Sequence, residues 1–130
     1  MANPELTLVH SDSRGELYSI LLPTGQEVML LHSVAGSRRG GHSHNVAEDV
    51  MILSGRMRYW KLSLENGAYS IEELGPGTIS SNAPGQAHMG EFWEDTWLLE
   101  IKHAKKGEWT QANYPPWRSI VERRADVDSS

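Results

Sequence analysis

Two closely spaced histidines carry the clearest chemical signal in this sequence. One residue separates His42 from His44, so an extended strand would point both imidazoles to the same face. Glu48 follows four residues after His44 and adds a carboxylate of the type that completes a metal-ligand set. The chain has no cysteine, so nitrogen and oxygen atoms would have to hold any metal. These three side chains therefore form a candidate metal site.

A third candidate imidazole lies far along the chain. Among the other histidines, only His88 is flanked by tight-turn residues, since Pro84 and Gly85 precede it. Three neutral imidazoles and one carboxylate suit a divalent first-row transition ion such as Fe, Mn, Ni, Co, Cu or Zn. They leave one or two positions open for water, dioxygen or substrate. We therefore predict one divalent transition metal as cofactor, and the sequence assigns no catalytic acid or base.

Short strands separated by turn residues make up most of the chain. β-Favouring runs recur at a spacing near ten residues between glycine, proline and asparagine turns. The predicted strands are residues 6–10, 17–22, 27–34, 50–53, 56–64, 68–74, 79–81 and 97–102. Residues 36–41 are predicted as a glycine-rich loop, Asn66-Gly67 as a hairpin turn, and residues 118–124 as a short helix. This pattern is typical of an all-β barrel or sandwich.

The spacing of the candidate ligands resembles the two sequence motifs of the cupin superfamily. The first motif is matched at every fixed position, by Gly36, His42, His44, Glu48 and Gly55. A chance match of five fixed residues in a chain this long is on the order of one in a hundred thousand. The second motif is matched more loosely, by Gly77, Gly85 and His88. Pro84 stands one position after the usual proline, and Phe92 stands where the family usually has asparagine.

The resemblance implies an all-β fold, a double-stranded β-helix or jelly-roll-type barrel, with a short C-terminal helical or irregular tail. It implies a metal inside the barrel mouth, held by His42, His44, Glu48 and His88. A barrel directs alternate residues of distant strands at one axis, which agrees with ligands 40 residues apart. We expect one domain, with N-terminal barrel strands in residues 1–35, both motifs in residues 36–102, and a C-terminal extension in residues 103–130.

Alternation along the strands predicts which side chains line a pocket beside Glu48. The inward positions predicted in this way are Val50, Ile52, Met57, Tyr59, Trp97, Leu99 and Ile101. Arg39, just ahead of the first ligand, would pair with a substrate carboxylate or phosphate, or remain a solvated loop charge. We predict that Arg39, Met57, Tyr59 and Trp97 form the substrate pocket, the alternative for Tyr59 and Trp97 being plain core packing.

Composition and charge limit the partners. The chain has 130 residues, enough for one ordinary domain, and a formal net charge of −5, which gives no positive field for nucleic acid. Its longest purely aliphatic and methionine run, residues 28–31, is far shorter than a membrane span, and no targeting segment is predicted at the N-terminus. We therefore expect a cytoplasmic protein whose partner is a small-molecule ligand or substrate. Five tryptophans and exposed edge strands also favour a homodimer.

Three functions fit these features. The favoured one is a metal-dependent cupin that acts on a small organic molecule by oxygenase, isomerase or lyase type chemistry. A second is a non-catalytic cupin that only binds a small ligand, because the fold serves both roles. A third is a metal-free cupin similar to sugar-nucleotide ketoisomerases and epimerases, although Glu48 stands where that subfamily usually has glutamine. The sequence assigns no role to His32, Trp93, Trp109 and Trp117.

Overall fold

Eleven strands and one helix make up the computed structural model, which describes the backbone of residues 5–129 and the side chains of residues 5–122. In chain order they are β1 (Glu5–Asp12), β2 (Gly15–Leu21), β3 (Gln26–Ser33), β4 (Arg38–His44), β5 (Glu48–Ser54), β6 (Met57–Ser63), β7 (Tyr69–Leu74), β8 (Ile79–Asn82), β9 (Gln86–Phe92), β10 (Thr96–Lys105), β11 (Gln111–Asn113) and α1 (Pro115–Ser129). Residues 1–4, where no targeting segment is predicted, and Ser130 lie outside the described part.

The strands form two antiparallel sheets. One sheet has the strand order β1-β2-β3-β10-β5-β8, and the other has the order β11-β4-β9-β6-β7. Their inner faces enclose a core made of Leu31, Val50, Ile52, Met57, Tyr59, Leu74, Phe92 and Leu98. Each fully buried large apolar side chain contributes about 1.5–3 kcal/mol to folding, so this core holds the two sheets together. The predicted all-β, jelly-roll-type fold class with a C-terminal helix is confirmed.

Two strands that carry histidines, β4 and β9, were not predicted as strands. The loop predicted at residues 36–41 is wrong, because β4 begins at Arg38. Both segments are rich in glycine, histidine and charged residues and contain no β-branched residue, so their local strand propensity is weak. They become strands because they pair with each other, and β9 also pairs with β6. Tertiary pairing therefore places the histidines.

The helix is longer than predicted and packs against β4. It begins at Pro115, since proline is tolerated in the first turn of a helix. Gly41, with φ of +77°, permits the close approach: a Cβ there would lie 2.7 Å from the backbone nitrogen of Arg118. In the described part of the chain, no helix is long and apolar enough to cross a membrane. The role of α1 is to support the strand that carries His42.

The inward side of β10 is the opposite of the predicted one. Glu100 and Lys102 line the cavity between the sheets, whereas Trp97 is 36% exposed and points outward. The prediction that Trp97, Leu99 and Ile101 face inward is therefore wrong. Alternation separates the two faces of a strand but does not say which face is interior. Here the more polar face is interior and the apolar face is exterior.

Candidate metal centre

Two paired strands place the three histidines side by side. His42 and His44 lie on β4, and His88 lies on β9 opposite His42 in the strand register. The centroids of the three rings are 4.8, 4.9 and 5.1 Å apart. One ring nitrogen of each lies within 4.8 Å of the others. This arrangement lets three imidazoles converge on a single ion.

Glu48 lies against this cluster and is only 1% exposed. Its Oε2 is 3.8 Å from Nδ1 of His44, and its Oε1 is 3.7 Å from Nε2 of His88. The same carboxylate forms an ion pair with Lys102, with 3.0 Å between Nζ and Oε2, and accepts a hydrogen bond from Nδ2 of Asn82 at 3.4 Å. Glu48 therefore lies beside two of the three imidazoles, outside the group of three mutually close ligand atoms, and it shares its charge with Lys102.

Several ring nitrogens at this site are buried without a hydrogen-bond partner. In the described part of the chain these are Nδ1 of His42, Nδ1 of His44 and both nitrogens of His88. An unpaired buried polar atom costs about 1–3 kcal/mol. Nε2 of His44 lies 3.1 Å from Oε1 of Gln111, and the tautomer that donates this hydrogen bond leaves the lone pair on Nδ1. Unpaired imidazole nitrogens beside a carboxylate fit a divalent first-row transition ion.

Burial keeps the three histidines neutral. It lowers the pKa of His42 to about 3, with smaller contributions from the charges of His44, Lys102 and Arg118. Burial also lowers the pKa of His44 and holds that of His88 well below its ordinary value. Lys102 adds to all three shifts because its ammonium opposes a second positive charge nearby. Neutral imidazole is the form that binds metal, so the ligands are ready at neutral pH.

These pKa shifts predict that the metal-free chain loses stability as pH falls below 6.5, the ordinary pKa of histidine. In that range the histidines of the unfolded chain bind protons and those of the folded chain do not, so the free energy of unfolding decreases as pH falls. The contribution of His42 continues down to about pH 3. Thermal unfolding in chelator between about pH 7.5 and 4.5 measures the effect. His88→Gln should weaken the pH dependence, because the unfolded chain then has one histidine fewer to protonate. If the stability of His88→Gln depends on pH as strongly as that of wild type, this prediction is contradicted.

A cavity of about 440 Å³ lies between the sheets and includes the three histidines in its wall. This volume is typical of small-molecule sites. Of the predicted pocket residues, Arg39, Met57 and Tyr59 line the cavity. Trp97 does not, because it points outward and stacks on His32 with 4.6 Å between ring centroids. The expectation that Trp97 lines the pocket is therefore wrong.

Arg39 is held in the cavity wall by uncharged groups. Its Nε donates to Oγ of Ser33 at 2.7 Å, and its Nη2 donates to the backbone oxygen of His32 at 3.1 Å. The ion pairs of the described residues include Arg38 with Glu91, at 2.8 Å, but none with Arg39. Burial lowers the pKa of the Arg39 guanidinium, which nevertheless remains charged at neutral pH. Arg39 therefore offers the cavity a cation that suits an anionic ligand.

Among the charged residues of the cavity that sequence reasoning missed are two on β10, Glu100 and Lys102. Burial, followed by the charge of Glu48, raises the pKa of Glu100 to about 6. Burial alone would lower the pKa of Lys102, but the carboxylates of Glu100 and Glu48 outweigh it and raise that pKa. Lys102 therefore stays an ammonium, whereas Glu100 exchanges its proton near neutral pH. The available signal was that Glu100 and Lys102 share one face of the strand, whereas the apolar residues Trp97, Leu99 and Ile101 share the other.

The tryptophans without an assigned role occupy different places. Trp109 lines the cavity, with Nζ of Lys102 4.3 Å from its ring centroid and the His44 ring 5.3 Å away. Trp93 is half exposed, and Trp117 lies in α1. Trp109 therefore belongs to the candidate site, while the other two lie away from it.

The comparisons with known proteins concern the fold. No protein-family model and no curated protein matches the chain. The Staphylococcus aureus capsular polysaccharide assembling protein CapF matches over 87% of this chain and 32% of its own, with 15% identity and a TM-score of 0.69. A serine-to-alanine variant of Bacillus subtilis oxalate decarboxylase matches over 92% of this chain and 34% of its own, with 19% identity and a TM-score of 0.68. This chain spans about a third of the length of these proteins.

A further structure of the Bacillus subtilis oxalate decarboxylase, described with Mn(II) centres, matches over 80% of this chain and 28% of its own. Its identity is 18% and its TM-score is 0.63. CapF and oxalate decarboxylase are both cupin-fold proteins. The three-histidine cluster fits a metal-binding cupin. The two antiparallel sheets and these structural matches show that the chain has the fold of the cupin superfamily.

Proposed function

We propose that this chain is a metal-dependent cupin that acts on a small organic anion. His42, His44 and His88 would hold one divalent transition ion, with Glu48 beside them. The observation that carries the proposal is the cluster of buried, unpaired imidazole nitrogens in the wall of a cavity. The Mn(II) centres of a protein with the same fold support it. The ion would be Fe, Mn, Ni, Co, Cu or Zn, the metals that suit such a donor set.

The charge of the cavity favours an anion. Its wall contains more cationic than carboxylate side chains, although the whole chain has a net charge of −5. The cations are Arg14, Arg39, Lys102, Lys106 and Arg118, and the carboxylates are Glu27 and Glu100. Four of these cations pair with carboxylates, whereas Arg39 forms no ion pair among the described residues. The Arg39 charge is therefore left to attract an anion. A small carboxylic acid is therefore the ligand class that we propose.

Each charged side chain of the cavity would have a different role in binding or catalysis. A bound ion would polarise a carbonyl, a carboxylate or dioxygen at its open positions. Arg39 would orient the carboxylate of the ligand through paired hydrogen bonds. Glu100, whose pKa is about 6, would give or take a proton near neutral pH. Lys102 would keep Glu48 in place through their ion pair. These roles are compatible with oxygenase, isomerase or lyase chemistry.

Binding of small carboxylic acids to the metal-loaded chain tests the proposal. We expect acids to raise the melting temperature and their neutral amides to leave it unchanged. Arg39→Met should weaken acid binding by roughly tenfold or more, because a hydrogen bond to a charged group contributes about 1.5–3 kcal/mol. Arg38→Met is the matched control, since Arg38 pairs with Glu91 instead of lining the cavity.

Two results would contradict the proposed ligand class. Amides could stabilise the chain as strongly as acids, or Arg39→Met could bind acids as tightly as wild type. For an acid that binds, NMR of the incubated mixture then separates the remaining alternatives. A chemically altered acid indicates an enzyme, and an unchanged one indicates a binding module. In a separate incubation with chelator, conversion of a sugar nucleotide indicates the metal-free alternative.

A further inference from the structure

The short strand β11 lies at the edge of the sheet that carries the three histidines. Its register with β4 sets Gln111 opposite His44 and Asn113 opposite His42. Paired residues on two antiparallel strands project their side chains to the same side of the sheet. Gln111 accordingly reaches the cavity wall beside His44, although residues 111–113 lie outside both sequence motifs. The C-terminal part of the chain therefore contributes a side chain to the surroundings of the candidate metal centre.

Backbone hydrogen bonds hold β11 in this register at both of its ends. Before the strand, the Asn45 nitrogen donates to the backbone oxygen of Thr110 at 3.2 Å, and the Thr110 nitrogen donates to Oδ1 of Asn45 at 2.8 Å. After the strand, the Tyr114 nitrogen donates to the backbone oxygen of Gly41 at 2.8 Å. Gly41 and Asn45 directly precede and follow the segment with the two neighbouring histidines. The position of Gln111 relative to that segment is therefore fixed by the backbone.

The two ring nitrogens of His44 have different surroundings. Nε2 lies 3.1 Å from Oε1 of Gln111. Nδ1 lies 3.8 Å from Oε2 of Glu48, too far for a hydrogen bond, and it has no hydrogen-bond partner in the described part of the chain. The His44 side chain is only 2% exposed, so a proton on Nδ1 would be a buried donor without an acceptor. The contact with Gln111 therefore favours the tautomer that has its proton on Nε2 and its lone pair on Nδ1.

Trp109 restricts the same imidazole by packing against it. The ring centroids of Trp109 and His44 are 5.3 Å apart, and the ring planes make an angle of 87°. This edge-to-face arrangement is a favourable geometry for two aromatic rings. Nζ of Lys102 lies 4.3 Å from the centroid of the Trp109 ring, and this cation–π contact holds the indole in place. Trp109 therefore limits the tilt of the His44 ring, whereas Gln111 sets which nitrogen carries the proton.

We propose that Gln111 is a positioning residue of the metal centre, which holds the His44 imidazole with the Nδ1 lone pair free beside Glu48. The inference rests on the proposed function, because it requires His44 to be a metal ligand. A histidine that binds metal usually donates its other ring N–H to a carboxylate, a backbone carbonyl or water. The side-chain amide oxygen of Gln111 offers the same kind of acceptor. Without it, part of the metal-binding free energy is spent on fixing the tautomer and orientation of the ring.

Competition with a fluorescent chelator tests this role, with whichever of Mn, Co, Ni and Zn the wild type binds most tightly. Gln111→Leu should bind that ion about tenfold more weakly or worse, because loss of a group that supports a metal ligand costs about 10–100-fold. Gln111→Glu should bind it at least as tightly as wild type, because a carboxylate accepts the same N–H and strengthens the hydrogen bond. Melting temperatures of the metal-free variants check that both are folded.

Nitrogen NMR of the metal-free chain gives a readout that a merely structural role of Gln111 would not change. Protonated and unprotonated ring nitrogens resonate in separate ranges, so the spectrum shows which nitrogen of His44 carries the proton. We expect the proton on Nε2 in wild type and in Gln111→Glu, and a mixture of both tautomers in Gln111→Leu. A wild type with the proton on Nδ1 of His44 would overturn the proposal, even if the variants failed to fold.

The matched control is Asn113→Leu, because Asn113 is exposed on the same strand and lies outside the cavity wall that the described residues form. This variant should bind the ion as tightly as wild type. The inference alone is overturned if wild type binds the ion and Gln111→Leu binds it equally well. It is also overturned if Asn113→Leu weakens binding as much as Gln111→Leu, since any change in the strand would then suffice. A wild type that binds none of the four ions would overturn the proposed function, and the inference with it.

Discussion

Replacing His88 by alanine is expected to lower the affinity of the chain for a divalent transition metal by ~100-fold or more. Loss of a group that only supports a metal ligand costs about 10–100-fold, and a direct ligand should cost at least as much. Bound metal adds about 2.7 kcal/mol of stability at a hundredfold excess over Kd, so metal should raise the melting temperature of wild type. In His88→Ala this increase should be absent.

Competition with a fluorescent chelator measures the affinity of His88→Ala, and thermal unfolding with and without metal measures the stabilisation. His103→Ala is the matched control, because His103 is an exposed histidine that contacts Asp49 instead of the cluster. It should bind metal as tightly as wild type. The account is contradicted if His88→Ala retains wild-type affinity, since the metal would then lie elsewhere.

Replacing Lys102 by methionine should have opposite effects on the metal-free chain and on metal affinity. In the metal-free chain Lys102 is the cation that balances the buried carboxylate of Glu48, 3.0 Å away. Breaking a buried ion pair by removing one partner costs about 3–5 kcal/mol. A divalent ion beside Glu48 would supply positive charge in place of Lys102. The variant should therefore be strongly destabilised without metal and much less with it.

Because folding and metal binding are thermodynamically linked, this difference in stability with and without metal also predicts a change in metal affinity. If metal restores part of the lost stability, then Lys102→Met must bind metal more tightly by the same free energy, about tenfold to hundredfold. Urea unfolding with and without metal, together with chelator competition, measures both quantities. Lys106→Met is the control, because the Lys106 side chain is exposed and lies 3.7 Å from Glu27. Equal destabilisation with and without metal would show that Lys102 does not oppose the metal.

The general position of the candidate site was predictable from local spacing. His42 and His44 share a face because they are two residues apart in a strand, and the motif spacing links them with Glu48 and His88. The structure groups the three histidines, and it places the Glu48 carboxylate 3.8 and 3.7 Å from ring nitrogens of His44 and His88. That they hold a metal stays a prediction. The strand character of β4 and β9 was not predictable, because it comes from pairing between segments that are distant in sequence.

The errors at β10 have a different physical origin. The prediction placed the apolar face of this strand inside, but the interior is a partly polar cavity that takes Glu100 and Lys102. Trp97 and Leu99 consequently lie on the outer side of the sheet. The ion pair between Lys102 and Glu48 joins residues 54 positions apart, and no local pattern indicates it. Contacts of this kind depend on the assembled barrel.

Elemental analysis of the wild-type chain tests the central claim most directly. The chain is purified without chelator and without a nickel column, and then saturated in turn with Mn, Fe, Co, Ni, Cu and Zn before gel filtration. We expect at least one of these ions to remain bound at about one per chain, because the site offers three imidazoles with buried, unpaired nitrogens and a carboxylate beside them. Retention of none of the six ions at a substantial fraction of one per chain would contradict the account.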